Sequence, residues 1–88
     1  MKLIIAIIPD IDTDQVSKNL TNADLRVTLI ASTGGLLKRG YSTLLLGLQD
    51  GQVEEACKLI RGGCSIKEGT DKKSGTIFVL TLDKLLHI

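Results

Sequence analysis

The sequence predicts an α+β fold, a ferredoxin-like βαββαβ chain in which a four-stranded antiparallel sheet carries two helices on one face. The first observation is the order of elements. Short apolar or alternating runs, typical of strands, flank two segments whose apolar residues recur at helical spacing. The second is that glycines and acidic residues stand between these runs, where turns are expected. The third is length, because 88 residues suit one small domain, residues 1–88.

The first part of the chain predicts a strand and a helix. Lys2 to Pro9 is a continuous apolar run rich in isoleucine, which indicates a buried strand. Asp10-Ile11-Asp12 forms the turn out of it, and Asp12 with Gln15 has the spacing of a capping box. We therefore expect a helix over Thr13 to Asn22. Its inward stripe is thin: Val16, Leu20 and Ala23.

The middle of the chain predicts a strand, a loop with glycines and a second strand. The first strand, Leu25 to Ser32, alternates and places Arg26 and Thr28 on one face. The second strand, Ser42 to Leu48, is almost wholly apolar, and the loop between them contains two adjacent glycines. An arginine and a threonine beside glycine amides are groups that can hold an anion. Polar groups gather in this way nowhere else in the sequence.

The second half predicts a helix, a polar loop, a strand and a tail. Asp50 is the expected N-cap, acidic residues favour the first turn of the helix, and Gly62-Gly63 end it. The polar run from Ser65 to Gly75 is a loop, and Thr76 to Leu82 is the last strand. The tail is expected to dock, because its apolar residues would otherwise lie in water: Leu85, Leu86 and Ile88.

Both faces of the predicted sheet are apolar, although an antiparallel sheet with one solvated face should alternate. In the first strand, for example, Leu3 and Ile5 face one way while Ile4 and Ala6 face the other. Two short helices can cover only one face. The sequence therefore predicts that another copy of the chain covers the second face, since a bare apolar face favours aggregation.

Composition argues against several classes of partner. A formal charge of +1 gives no field that would attract a nucleic acid polymer, and two aromatic residues leave little for base stacking. The apolar runs are far shorter than the roughly 20 residues of a membrane span. The start has neither the apolar length nor the cleavage site of a signal peptide. We expect a cytoplasmic protein that binds no membrane.

The sequence offers little for catalysis. It contains no Ser/His/Asp grouping, no paired carboxylates in a pocket-forming pattern and no set of metal ligands. Cys57 and Cys64 are interpreted as small buried hydrophobes, and His87 stands alone near the end. The sequence therefore predicts no enzyme, cofactor or metal, with a small ferredoxin-like enzyme subunit kept as a distant alternative.

Several segments together resemble a known family: MKLIIAI at the start, LRVT from Leu25, STGGLLKRG from Ser32 and IFVLTLDKL near the end. They are similar to the PII-like signalling proteins that act as cyclic-di-AMP receptors. The resemblance implies a homotrimer whose sheets face inward, with cyclic-di-AMP or another adenine nucleotide bound between neighbouring subunits. It also implies that the Thr33–Tyr41 loop relays binding to a protein partner.

Carried over position by position, the ligand contacts of the family fall on these residues: Arg26, Thr28, Gly35, Leu36, Leu37 and Gly47. This chain departs from the pattern at Asp24 and Tyr41, where the family has asparagine, and at Leu36, where it has phenylalanine. The loop of residues 66–75 is also shorter. These departures favour an alternative function, a PII-like interaction protein that has no nucleotide ligand and acts through protein contacts alone.

Each site residue also has an ordinary structural interpretation. Arg26 can pair with Asp24 or with a neighbouring subunit, and Thr28 is a common strand residue. A glycine pair usually just makes a turn, and no Walker or dinucleotide-binding pattern is present. Gly47 is more informative, because a glycine inside a run of leucines often marks a bulge or a close backbone approach.

Overall fold

The computed structural model describes residues 1–32, 40–65, 75–86 and 88. Four strands and two helices occur in the described part of the chain. The strands are β1 (Lys2–Pro9), β2 (Thr28–Ser32), β3 (Tyr41–Leu48) and β4 (Thr76–Thr81). The helices are α1 (Thr13–Asn22) and α2 (Val53–Gly63), each preceded by a single 3₁₀ turn, Asp10–Asp12 and Asp50–Gln52. Neither described helix is long and apolar enough to span a membrane.

The four strands form one sheet in the order β2-β3-β1-β4, and every neighbouring pair is antiparallel. The predicted α+β fold is thereby confirmed. Antiparallel pairing places the ends of β1 and β2 beside the starts of β3 and β4. We call this edge the Pro9 end of the sheet, and the opposite edge the Lys2 end, after the two ends of β1.

The core lies between the sheet and the two helices. Ile4, Ala6 and Ile8 of β1 alternate with partly exposed neighbours and are fully buried on the helix side. Val16 and Leu20, one turn apart on α1, are also fully buried, as helical spacing predicts. These side chains belong to one continuous hydrophobic cluster that includes members of β3 and α2: Leu44, Leu46, Leu48, Ala56 and Ile60.

The sheet face opposite the helices carries apolar side chains that a single chain leaves partly in solvent. We call it the open face. Leu3, Ile5 and Ile7 of β1 are half-buried there. Their β4 partners Leu80 and Phe78 are 45% and 49% exposed. Coverage of the open face by another copy of the chain stays a prediction.

Local predictions at three helix and strand starts were wrong. Asp12 is the N-cap residue of α1 but makes no capping hydrogen bond through its side chain within the described residues, because its carboxylate accepts the N–H of Ser65 at 3.1 Å. Asp50 does not cap α2; it lies 3.2 Å from the N-terminal amine. Strand β2 begins at Thr28 rather than at Leu25, so Arg26 precedes the strand.

The alternation expected along β2 is also interrupted. Thr28 and Leu29 pair with Leu45 and Leu44, whereas Ala31 pairs with Thr43, so the register shifts between Leu29 and Ala31. One extra residue in a strand displaces every later position by one. The predicted two-faced pattern therefore holds only up to this shift.

Candidate ligand site

Two of the predicted ligand residues share the open face. Thr28 pairs with Leu45 of β3, and directly paired residues of an antiparallel sheet lie on the same face. Gly47 lies two residues further along β3 and therefore returns to the face of Leu45. Thr28 and Gly47 are both exposed, and both lie toward the Lys2 end of the sheet.

Arg26 reaches this region through the turn that ends α1. The N–H of Leu25 donates to the carbonyl of Leu20 at 2.9 Å, and the N–H of Asp24 donates to the carbonyl of Thr21 at 3.0 Å. These two bonds make a Schellman motif, whose apolar contact is formed here by two core residues, Leu20 and Leu25. The chain therefore leaves the helix in a fixed direction, with the exposed Arg26 immediately after the buried Leu25.

Asp24 occupies the residue position of this motif that requires a left-handed backbone, with φ of 62°. Glycine is favoured there, and asparagine and aspartate are the side chains that tolerate it best. The sequence interpretation treated Asp24 as a departure from the family's asparagine and as a pairing partner for Arg26. The structure adds a conformational reason for a short polar residue at this position.

Among the described residues, packing within the single chain does not require a glycine at position 47. A Cβ added to it would lie 3.8 Å from Cδ2 of Leu85, which is an ordinary van der Waals distance. The tail therefore passes over the Gly47 end of β3, as the predicted docking requires. The docking is only partial, because Leu86 is 71% exposed and Ile88 is fully exposed.

The remaining predicted ligand residues, Gly35, Leu36 and Leu37, lie outside the described residues. The residues that flank them, Ser32 and Gly40, lie toward the Pro9 end of the sheet. Ser32 is four residues along β2 from Thr28, a separation of about 13 Å at the usual strand rise. Within one chain, the described parts place Thr28 and Gly47 toward one end of the sheet and the ends of this loop at the other.

A polar cluster that sequence reasoning missed lies at the Pro9 end. The Ser42 hydroxyl donates to Oδ1 of Asp10 and accepts from Oγ1 of Thr13 at 2.8 Å. The backbone N–H of Asp10 donates to the carbonyl of Gly40 at 2.9 Å. The only signal in the sequence was two aspartates directly after a buried strand, which we interpreted as an ordinary turn.

Other polar groups show no metal or nucleophile arrangement in the part of the chain that the structure describes. No group of three or more His, Cys, Asp or Glu side chains that could hold a metal ion occurs among those residues. Cys64 is buried, and its thiol donates to the carbonyl of Ile60 at 3.3 Å in the last turns of α2. Cys57 is half-buried, and neither cysteine forms a disulfide among the described residues.

Comparison with known proteins places this geometry in a family. The crystal structure of a functionally unknown protein from Pediococcus pentosaceus ATCC 25745 superposes with a TM-score of 0.80 and is 26% identical, covering 99% of this chain and 96% of that chain. Residues 1–74 match the sequence model of the cyclic-di-AMP receptor. This match spans β1 to β3 and both helices and ends before β4. The chain therefore belongs to the cyclic-di-AMP receptor family, which supports a PII-like signalling protein.

Proposed function

We propose that the protein is a trimeric receptor that binds cyclic-di-AMP, or another adenine nucleotide, in the clefts between subunits and signals through the Thr33–Tyr41 loop. The observation that carries this proposal is the position of three exposed residues. Arg26 leads into β2, and Thr28 and Gly47 lie toward the Lys2 end of an apolar sheet face that one chain leaves uncovered.

The uncovered apolar side chains of the open face support an inter-subunit location for the site. The face presents half-buried aliphatic side chains on β1 and exposed apolar side chains on β4, including Phe78 and Leu80. Covering these groups removes apolar surface from water at about 25 cal/mol per Å². When sheets pack together in this way, Thr28 and Gly47 come to lie beside a neighbouring subunit, and a cleft there is lined from both sides.

Arg26 supplies the charge recognition in this proposal. A guanidinium group donates two parallel hydrogen bonds to a phosphate, which matches the phosphodiester of a cyclic dinucleotide. The side chain is exposed and held by a buried neighbour, Leu25, so its base is fixed while its tip is free to approach a ligand. The Thr28 hydroxyl, two residues further along the chain at the start of β2, adds a donor and an acceptor.

Gly47 supplies access. With no side chain at this position, a ligand can approach the β3 backbone closely. The single chain has room for a Cβ there, so the absence of one is more readily explained by a bound molecule than by folding. Gly35, Leu36 and Leu37 would add ligand contacts from the loop. Ligand binding would change the conformation that the loop presents to a partner protein.

A thermal-shift screen with adenine nucleotides tests the proposal. Cyclic-di-AMP at 100 times its dissociation constant adds about 2.7 kcal/mol to the stability of the bound state and raises the melting temperature accordingly. Arg26→Ala should lose the shift. Lys18→Ala, which removes an exposed cation from the helix layer, should keep it. If no adenine nucleotide shifts the wild type, the alternative of a PII-like interaction protein without a nucleotide is favoured instead.

A further inference from the structure

The 3₁₀ turn between β1 and α1 has an inverted burial pattern. Asp10 and Asp12 are 5% and 4% exposed, whereas Ile11 between them is 67% exposed. Hydrophobic burial would give the opposite arrangement. Aspartate is rarely this buried unless hydrogen bonds hold it, because moving a charge out of water is costly. The turn is therefore organised by what its two carboxylates bind.

Asp10 holds the start of β3 through both its carboxylate and its backbone N–H. Oδ1 of Asp10 accepts the hydroxyl of Ser42, which is 2% exposed, and the N–H of Asp10 donates to the Gly40 carbonyl at 2.9 Å. Thr13, the first residue of α1, donates to the same Ser42 hydroxyl at 2.8 Å. Residues 40–42 are thus tied to the turn by side-chain and backbone bonds together.

The second carboxylate holds Ser65, the second residue past the end of α2. Oδ1 of Asp12 accepts the backbone N–H of Ser65 at 3.1 Å, across 53 residues of sequence. Asp12 stands at the N-cap position of α1, where an aspartate normally accepts an amide of its own helix. The Asp12 carboxylate does not make that capping bond, and its Oδ2 is buried without a hydrogen-bond partner among the described residues. The contact with Ser65 is what explains its position.

We infer that the Asp10–Asp12 turn is a shared anchor that couples the start of β3 to Ser65, two residues past the end of α2. Ser42 and Ser65 are bound by carboxylates only two residues apart on one 3₁₀ turn, so a displacement at either is transmitted through the turn to the other. Along the chain, Ser65 directly precedes segment 66–74, and Ser42 is three residues past segment 33–39. The coupling is a property of the turn and does not depend on which ligand the protein binds.

A double-mutant cycle in the full chain tests the coupling. Ser42→Ala removes the hydroxyl that Asp10 accepts, and Asp12→Asn weakens the bond to Ser65. We expect the unfolding constant of the double variant, measured by urea titration, to differ from the product of the single effects by at least about threefold, since residues in one network couple. Additive effects within error would overturn the inference.

A control cycle separates this coupling from general destabilisation. Asn19 donates to the Leu59 carbonyl at 3.2 Å and bridges the helices away from the turn. Ser42→Ala combined with Asn19→Ala should therefore be additive. If Ser42→Ala proves too unstable to measure, Thr13→Val removes only the hydroxyl that donates to Ser42 and leaves the bond from Ser42 to Asp10, and the same cycle with Asp12→Asn should remain non-additive.

Hydrogen exchange gives a direct readout of the same coupling. Ser42→Ala should increase exchange at the Ser65 amide, although the variant touches no atom of Ser65. The Leu25 amide, fixed by the Schellman motif at the other end of α1, serves as the internal reference and should not change. Unchanged exchange at Ser65 in a folded Ser42→Ala variant would overturn the inference.

Discussion

Gly63 of α2 lies so close to Val16 of α1 that no side chain fits between them. A Cβ added to Gly63 would lie 2.7 Å from Cγ2 of Val16 and 3.0 Å from its backbone nitrogen. Both residues are buried where the two helices meet. The glycine therefore sets the distance between the helices, although its sequence position suggested only the end of α2.

Gly63→Ala should destabilise the fold by about 1–3 kcal/mol, because the methyl group meets backbone atoms that cannot move aside easily. Urea unfolding monitored by circular dichroism measures the change. Gly62→Ala is the matched control, since a Cβ there meets no heavy atom of the described residues within 4 Å. That variant should be neutral or slightly stabilising, as alanine is the better helix former. Equal losses for the two variants would contradict this account of the helix contact.

Asp24→Gly should raise stability by about 0.5–1 kcal/mol, because glycine adopts the left-handed backbone without the strain of a side chain. Asp24→Asn should change stability less. Asp14→Gly, an exposed helical position in α1, is the control and should lower stability, as glycine does in a helix. A loss of stability for Asp24→Gly would mean that the aspartate side chain makes a stabilising contact.

Gly47→Ala should separate folding from binding. The single chain has room for the added methyl group, so the melting temperature should not fall. The methyl group would project from the open face at the proposed site and should weaken cyclic-di-AMP binding at least about tenfold, or about 1.4 kcal/mol. Gly51→Ala, where a Cβ meets no described heavy atom within 4 Å, should leave affinity unchanged. Unaltered affinity in Gly47→Ala would remove Gly47 from the site.

Phe78→Asp should dissociate the proposed trimer without unfolding the chain, because the side chain is half exposed in the single chain but would be buried in the assembly. Size-exclusion chromatography with light scattering measures the mass. Ile11→Asp is the matched control, since Ile11 is an exposed apolar residue of the turn before α1 rather than of the open face. A wild-type monomer at micromolar concentration would refute the assembly.

The sequence was sufficient for the fold wherever burial alone decides structure. The bounds of β1 and α1 agree with the prediction. The unbroken apolar run of β1 and the helical spacing of α1 are local patterns, and they depend on no distant partner. The β2 prediction failed at the register shift between Leu29 and Ala31, which depends on how β3 pairs with it. The capping-box spacing at Asp12 also gave a wrong prediction, because the Asp12 carboxylate accepts the N–H of Ser65.

The candidate site was only partly accessible from sequence. Arg26, Thr28 and Gly47 were singled out by the strand pattern and then by resemblance, and the structure places Thr28 and Gly47 on one face. The buried aspartates Asp10 and Asp12 were missed because acidic residues in a turn are ordinarily solvated. Burial of a carboxylate depends on donors brought from elsewhere in the chain, and residue types alone do not show which donors arrive.

Titration calorimetry of the wild type with cyclic-di-AMP at low and high salt is the most direct test of the proposed function. We expect weak, salt-sensitive binding, because Leu36 replaces an aromatic residue whose stacking on a base is worth about 1–3 kcal/mol. Arg26→Ala should abolish the binding, and Leu36→Phe combined with Asp24→Asn should strengthen it. Binding that survives Arg26→Ala, or no heat for either the wild type or the double variant, would contradict the proposal.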